Sequence, residues 1–268
     1  EHWQAFDPNK ITSLKQTSRV YDMDGGFITA LQGTENRTVV PLSEIPLHVR
    51  NAFLAAEDLR FYQHMGFDFV RFFGSVVANL KSRSFSQGFS TISQQLIKLT
   101  HLTTEKTLPR KAQEVFLALQ LERHFTKDEI LSLYLNYIYF GNRAYGIQEA
   151  ARQYFHKDVG ELTVAEGAAL AATINATSYY APHLHPENNK TRRDYVLTTM
   201  YENKMIDEPT YQAALSEELT VYTAELAPVP YGWFIDQVME EAEAALGIGS
   251  DDLLGGGYSI YTTLSPDL

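Results

Sequence analysis

An early predicted helix carries a carboxylate beside its apolar face. Val49, Phe53 and Ala56 recur at helical spacing and mark the side that faces the core. Glu57 lies about 40° from Phe53 around a helix of 3.6 residues per turn. Burial at that position would raise the pKa of Glu57, which prepares a carboxyl group for general acid or base catalysis. The alternative is a structural ion pair with Arg60 at the end of the helix.

A second predicted helix, after Gly88, aligns a hydroxyl, an amide and an ammonium group. Thr91, Gln95 and Lys98 lie within about 60° of one another around this helix, beside an apolar stripe. Ser90 is its predicted N-cap. Surface helices more often carry Glu–Lys pairs, so this face is a candidate binding surface. A solvated polar face is the alternative.

A third predicted helix places two opposite charges four residues apart. Arg110 and Glu114 share a face with Ala118 and Leu121. An exposed pair of this kind stabilises a helix by about 0.5 kcal/mol or less, whereas burial of the face would turn the pair into a charged site. Two inward carboxylates, Glu57 and Glu114, with Lys and Arg beside them suit acid–base chemistry at an anionic leaving group.

The composition is that of a globular protein, and it excludes several classes of function. The chain has 268 residues, is 44% hydrophobic and carries a net charge of −11, which argues against a nucleic-acid partner. It contains no cysteine, which excludes disulfides, thiol nucleophiles and thiolate metal sites. Between Arg60 and Lys127, however, ten Lys and Arg stand against four Asp and Glu, so this segment is suited to an anionic ligand.

The elements that must position these residues are mostly helices. Helical periodicity dominates from residue 46 onward, and capping boxes that start at Thr126 and Thr163 mark two helix beginnings. Short strands are predicted near both chain ends, as a hairpin over 19–31 and a strand over 258–264. The fold class is therefore mainly α.

One segment has two possible structures. Residues 67–80 are aromatic and apolar, and a polar stretch of small residues follows them. The pattern predicts either a core helix or an element that lies on a membrane surface. No apolar run in the chain reaches the roughly 20 residues of a membrane-spanning helix.

Five short motifs follow one another between residues 34 and 205. The first three are Glu57-Asp58-x-x-Phe61-x-x-His64-x-Gly66, Gly88-Phe-Ser90-Thr91-Ile-Ser-Gln94-Gln95-Leu-Ile-Lys98 and Arg110-Lys111-x-x-Glu114. A fourth runs from Lys127 through Tyr134-Leu135-Asn136 to Phe155, and a fifth spans Ser178 to Pro186. In this order and spacing the motifs resemble those of the peptidoglycan glycosyltransferases of glycosyltransferase family 51, the transglycosylase domains of class A penicillin-binding proteins.

The resemblance implies polymerisation of lipid II by inverting transfer from an undecaprenyl pyrophosphate donor to the 4-hydroxyl of an acceptor. Glu57 would be the general base, and Glu114 would assist at the pyrophosphate as an acid or through a bound Mg²⁺ or Mn²⁺. No organic cofactor is implied. The residues that would bind substrate are Asp58, Phe61, His64, Ser90, Thr91, Gln94, Gln95, Lys98, Arg110, Lys111 and Asn136.

The resemblance also implies a domain plan and a location. The fold would be lysozyme-like, with a head and a smaller membrane-facing jaw at about 67–105, inside a glycosyltransferase domain at 34–247. Residues 1–33 would form a lead-in, and 248–268 the start of a linker toward a transpeptidase domain absent from this chain. The protein would act at the extracytoplasmic face of a bacterial membrane and contact the membrane through 67–85.

Three other functions fit parts of the sequence. A lysozyme-like hydrolase would also use two carboxylates, but it would need no cations for a pyrophosphate. A non-catalytic module could dock on a membrane or a partner through residues 67–80. A metal enzyme could use His183 and His185, although this pair has no evident third ligand.

Overall fold

The structure is a computed structural model that describes residues 5–31, 33, 35–74, 90–102, 107–222 and 231–265. Helices make up most of the described chain, as the sequence predicts. In chain order they are α1 (Asn9–Thr12), α2 (Leu47–Glu57), α3 (Ile92–His101), α4 (Leu108–His124), α5 (Lys127–Tyr137), α6 (Ile147–Phe155), α7 (Val164–Thr173), α8 (Pro186–Glu202), α9 (Glu208–Ser216), α10 (Gly232–Leu246) and α11 (Ser250–Gly255). Residues 69–74 are also helical, and short 3₁₀ segments cover Leu42–Glu44, Phe61–Gln63 and Val159–Glu161.

The main core surrounds the Ala-rich helix α7, which packs against both α2 and α8. Nearly every residue of α7 is buried, because small side chains let the neighbouring helices approach closely. On α2, Val49 and Phe53 are fully buried, as predicted, and Ala56 is half-buried. The inward face of α2 therefore ends directly at Glu57.

Side-chain caps fix the beginnings of the helices that carry the candidate site. The predicted capping boxes open α5 and α7. The predicted N-cap of α3, Ser90, is wrong by one residue, since Thr91 caps this helix. The Thr91 hydroxyl accepts from the backbone N–H of Gln94, and the Gln94 side chain accepts from the backbone N–H of Thr91. This reciprocal pair uses Gln94, the third residue of the helix, which a cap at Ser90 could not do.

The strands near the two chain ends belong to one small sheet. Strand β1 (Arg19–Tyr21) pairs antiparallel with β2 (Phe27–Ala30), which confirms the hairpin, and parallel with β5 (Ser259–Tyr261). Strands β3 (Asn36–Arg37) and β4 (Ala144–Tyr145) form a second parallel pair.

A second, smaller apolar cluster joins this sheet to α10 and α11. Val20, Leu31, Ile235 and Leu253 form its buried centre. The described parts of the predicted lead-in at 1–33 and linker at 248–268 therefore pack against each other. Their boundaries with the domain at 34–247 stay a prediction.

The apolar segment 67–80 and the predicted jaw at 67–105 fall partly outside the described residues. In the described part, Phe69, Val70 and Phe73 are 65%, 59% and 62% exposed. These values do not fit a core helix over 69–74 and favour the surface alternative there. Along the described stretches of the chain, we find no helix with the length and apolarity needed to cross a membrane.

Candidate active site

Glu57 is the last residue of α2, and its two carboxylate oxygens have different surroundings. Oε2 accepts a hydrogen bond from Gln95 Nε2 at 2.8 Å, whereas Oε1 is buried without a hydrogen-bond partner among the described residues. Burial raises the pKa of Glu57, and the Gln95 hydrogen bond and the positive charges of Arg192 and Arg71 oppose this effect. The alternative pairing with Arg60 is wrong. An unpartnered, desolvated carboxylate oxygen is suited to accept a proton.

Arg60 pairs instead with Asp68, at 3.2 Å. Asp68 lies in the loop between the Phe61–Gln63 turn and the helical residues 69–74. The backbone carbonyl of Glu57 accepts a hydrogen bond from Arg71 of that helical stretch. The backbone at the end of α2 thus contacts the following segment, and the Glu57 carboxylate takes no part in this hydrogen bond.

Asp58 holds α3 against the end of α2. Its carboxylate is fully buried, accepts from the backbone N–H of Ile92 at 3.0 Å and lies 3.0 Å from His64 Nε2. Phe61 is also fully buried, and Lys127 Nζ lies 4.3 Å from the centre of its ring. Both side chains pack against protein groups beside Glu57, and their predicted contacts with substrate stay a prediction.

Glu114 lies on a buried face of α4, as the Arg110–Glu114 spacing predicts if that face is inward. The residue is 2% exposed, and Leu117, Ala118 and Leu121 on the same helix are buried. Arg110 Nη1 lies 3.2 Å from Oε2, Lys111 Nζ binds Oε1, and Gln94 Nε2 donates to Oε1 at 3.3 Å.

Lys111 also donates to Ser90 Oγ at 2.9 Å. Ser90, Lys111, Arg110 and Glu114 thus form one charged cluster at the start of α3 and α4. The exposed-pair alternative for Arg110 and Glu114 is wrong, because the carboxylate is enclosed.

The remaining predicted residues on α3 differ in how deeply their side chains are buried. Thr91 and Gln94 are fully buried, Gln95 is half-buried and Lys98 is exposed. Thr91 Oγ1 donates to the backbone carbonyl of Gly66 at 2.7 Å. Lys98 is therefore the member of this helix best placed to meet a ligand from solution.

Asn136 does not join the other predicted residues. It is 1% exposed, and its amide bonds the backbone of Val40 in both directions and the carbonyl of Ser132. Its side-chain hydrogen bonds are made with the protein backbone. Its predicted role in substrate binding stays a prediction. The motif pattern placed it correctly on a helix but could not show which way its amide is used.

Tyr134 contacts the site, although sequence reasoning gave it no role. It is fully buried on α5, and its hydroxyl donates to Gln95 Oε1 at 3.1 Å. The available signal is that a tyrosine on the buried face of a helix needs a partner for its hydroxyl. Arg192 of α8 is also missed, because no local pattern relates it to Glu57.

The described residues do not form a metal site by themselves. No group of three or more His, Asp or Glu side chains in the described ranges is placed to hold an ion. Both oxygens of Glu114 already bind cationic side chains. His183 packs its ring against Tyr154, with 5.4 Å between the ring centroids, and the described part of the chain offers no third ligand beside His183 and His185. The chemistry of these donors therefore does not fit a resident divalent cation.

The site belongs to a mainly helical domain in which one helix, α3, contacts two enclosed carboxylates. Comparison with known proteins identifies the family of this domain. A family model described as Transglycosylase matches residues 24–201, and the chain belongs to this family. It is 42% identical to penicillin-binding protein 1F of Bacillus subtilis (strain 168) over 267 residues, which are 98% of this chain and 37% of that protein. It is 40% identical to penicillin-binding protein 1A of Neisseria lactamica, over 94% of this chain and 31% of that protein.

The fold is also similar to a solved structure. The crystal structure of penicillin-binding protein 1A from Haemophilus influenzae matches with a TM-score of 0.52 and 25% identity, over 95% of this chain and 28% of that chain. The chain thus spans little more than a third of the length of these relatives, or less.

Proposed function

We propose that this chain is a peptidoglycan glycosyltransferase that polymerises lipid II by inverting β-1,4 transfer. The observation that carries the proposal is the pair of enclosed carboxylates, Glu57 and Glu114, each held by an amide of α3. One has a desolvated oxygen without a partner, and the other is surrounded by cations. This asymmetry suits a base at one end of the reaction and charge stabilisation at the other.

In the proposed step, Glu57 Oε1 takes the proton of the acceptor 4-hydroxyl as its oxygen forms a bond to C1 of the donor sugar. The bond from C1 to the pyrophosphate oxygen breaks, and its electron pair leaves with undecaprenyl pyrophosphate. The acceptor oxygen enters opposite the leaving group, so the configuration at C1 inverts. The raised pKa of Glu57 favours the proton transfer.

Negative charge then develops on the leaving pyrophosphate, and the positive side chains beside Glu114 are suited to stabilise it. Arg110 and Lys111 contact Glu114, and Lys98 is exposed on the adjacent helix α3. Fixed cations in a partly dry site act on such a charge without reorganising. Glu114 keeps Arg110 and Lys111 in place. We derive no step through Mg²⁺ or Mn²⁺, because the described side chains do not provide a site for it.

The membrane is the proposed source of the lipid-linked substrate. Phe69, Val70 and Phe73 expose apolar surface on the helical residues 69–74. This supports contact with lipid in the described part of the proposed 67–85 region. The proposed location is the extracytoplasmic face of a bacterial membrane, where the domain would meet the growing glycan chain. The much greater length of the relatives supports a larger protein with further domains, such as a transpeptidase.

The test is polymerisation of lipid II by the purified chain in detergent with Mg²⁺, read as glycan length on a gel. We expect Glu57→Gln to lower the rate about 10²- to 10⁴-fold, because it removes the base. Glu129→Gln is the matched control, since Glu129 is an exposed cap residue on α5, and it should keep the native rate.

Full activity in Glu57→Gln would overturn the proposed mechanism. Release of short fragments from finished glycan, without polymer formation from lipid II, would instead identify a hydrolase. Binding to lipid II with neither reaction would identify a docking module.

A further inference from the structure

We propose that Tyr134 is a positioning residue for this reaction, which acts through Gln95 to make Oε1 of Glu57 the proton-accepting oxygen. The inference rests on the proposed function, because it assigns an atom and a helper to the same base. It concerns a side chain that touches neither the proposed substrate nor Glu57 directly.

Three side chains from three helices form one hydrogen-bonded chain. The Tyr134 hydroxyl on α5 donates to Gln95 Oε1 at 3.1 Å, and Gln95 Nε2 on α3 donates to Glu57 Oε2 at 2.8 Å. A glutamine amide has one acceptor end and one donor end. With its oxygen held by Tyr134, Gln95 presents its N–H to the carboxylate.

The opposite orientation of the amide is unfavourable when Glu57 is ionised. It would turn the Gln95 oxygen toward a carboxylate, which has no hydrogen to donate. A donor at Tyr134 therefore stabilises the orientation in which Gln95 supports the charged base. Without that donor, the Gln95 oxygen has no hydrogen-bond partner among the described residues, and the half-buried side chain loses its anchor.

Tyr134 keeps its proton under the conditions of the reaction. Burial, together with the negative charges of Glu57 and Asp58, raises the pKa of Tyr134 well above its ordinary value. The hydroxyl is therefore a permanent donor at neutral pH. It differs in this respect from a histidine, whose hydrogen-bond role would change with pH.

This hydrogen-bonded chain of side chains gives the two carboxylate oxygens of Glu57 different surroundings. Oε2 is occupied by Gln95, and Oε1 is buried and unpartnered among the described residues. The other charges that act on Glu57 are Arg192 from α8, Arg71 from residues 69–74 and the adjacent Asp58. Arg192 and Arg71 lower the Glu57 pKa and Asp58 raises it, and Tyr134→Phe would change none of the three. A shift in that variant is therefore attributable to Gln95.

The first experiment is the pH dependence of lipid II polymerisation by Tyr134→Phe. We expect kcat to fall about ten- to hundredfold with little change in KM, because the base is misplaced while the substrate contacts remain. The acid limb of the profile should move to higher pH, since a carboxylate that loses an N–H donor has a higher pKa.

The matched control is Tyr154→Phe. Tyr154 is also fully buried, and its hydroxyl donates to the backbone carbonyl of Phe140 at 2.8 Å, away from Glu57. This variant loses the same buried hydroxyl, so it should lose comparable stability and keep the native pH profile. Equal profiles for the native protein and Tyr134→Phe would overturn the proposal.

The second experiment does not depend on activity. The carboxyl ¹³C signal of Glu57, assigned with Glu57→Gln, is titrated in the native protein, Tyr134→Phe, Gln95→Leu and the double variant. We expect either single change to raise the Glu57 pKa, and Tyr134→Phe to add nothing in the Gln95→Leu background. Additive shifts would overturn the relay through Gln95.

The two readouts separate the possible failures. A shifted Glu57 pKa in a protein that does not polymerise lipid II would refute the proposed function and leave the hydrogen-bonded chain intact. If Tyr134→Phe does not fold, the titration of Gln95→Leu against the native protein still decides whether Gln95 holds the charged base, and an unshifted Glu57 would refute the relay.

Discussion

Gln94 and Gln95 are neighbours on α3, and their amide groups donate to two different carboxylates. Gln94 Nε2 lies 3.3 Å from Glu114 Oε1, and Gln95 Nε2 lies 2.8 Å from Glu57 Oε2. Successive residues of a helix point about 100° apart, so one turn of α3 reaches α2 on one side and α4 on the other. The rigid beginning of α3 therefore sets the separation of the two acidic groups.

The first prediction concerns the stability of Glu57→Gln. Burial raises the pKa of Glu57, so the folded state holds its proton more tightly than the unfolded chain does. The stability contributed by this group is fully present below the unfolded pKa and is lost as pH rises through the folded pKa. The unfolding free energy of Glu57→Gln minus that of the native protein should therefore be larger at about pH 7 than at about pH 4.

Urea unfolding at the two pH values measures this difference. Glu129→Gln provides a control of opposite sign, because hydrogen bonds from Thr126 lower the pKa of Glu129. Ionised Glu129 contributes stability above its unfolded pKa, and that contribution is lost as pH falls through the folded pKa. If the difference in unfolding free energy between Glu57→Gln and the native protein is the same at both pH values, Glu57 is not desolvated.

The second prediction separates the charge of Glu114 from its contribution to folding. Glu114→Gln leaves Arg110 and Lys111 close together without their anion. We expect a loss of about 1–3 kcal/mol in unfolding free energy, less than for a completely buried pair because both cations retain contact with water. We also expect a large fall in polymerisation rate, measured with lipid II.

Glu122→Gln is the matched variant for Glu114→Gln. Glu122 also lies on α4, its side chain is 4% exposed, and it pairs with Lys127 at 2.7 Å. It accepts a hydrogen bond from Ser93 but does not contact Glu57 or Glu114. The two variants should lose similar stability, and only Glu114→Gln should lose most of its activity. Similar activities would argue against a role for Glu114 in the reaction.

The sequence predicts the parts of this site that depend on one helix at a time. The inward position of Glu57 and the buried face of Glu114 follow from apolar spacing on α2 and α4, and both are confirmed. The hairpin and the capping boxes are confirmed for the same reason, since their signals are local.

The sequence does not predict contacts that need the relative placement of helices. Tyr134 and Gln95 are 39 residues apart, and their hydrogen bond exists because α5 packs against α3. Asn136 is a second example. Its motif predicted contact with substrate, but packing turns its amide toward the backbone of Val40. Periodicity indicates which face of a helix is inward, and it does not indicate which polar groups meet there.

The last prediction tests the close approach that positions α3. Gly66 has a φ of +84°, and a Cβ at this residue would lie 2.8 Å from the carbonyl oxygen of Ala118 on α4. Gly25, in the hairpin turn, has a similar φ of +85° with no atom within 4 Å of its Cβ position. Substitution by alanine should lower the unfolding free energy by about 1 kcal/mol at Gly25, for the backbone conformation alone, and by about 3 kcal/mol or more at Gly66.

Because the Gly66 carbonyl accepts from Thr91 Oγ1, Gly66→Ala should also displace α3 and slow polymerisation, whereas Gly25→Ala should not. Urea unfolding and the lipid II assay on the two variants measure both effects, and equal losses of stability would show that the approach of Gly66 to α4 is not tight.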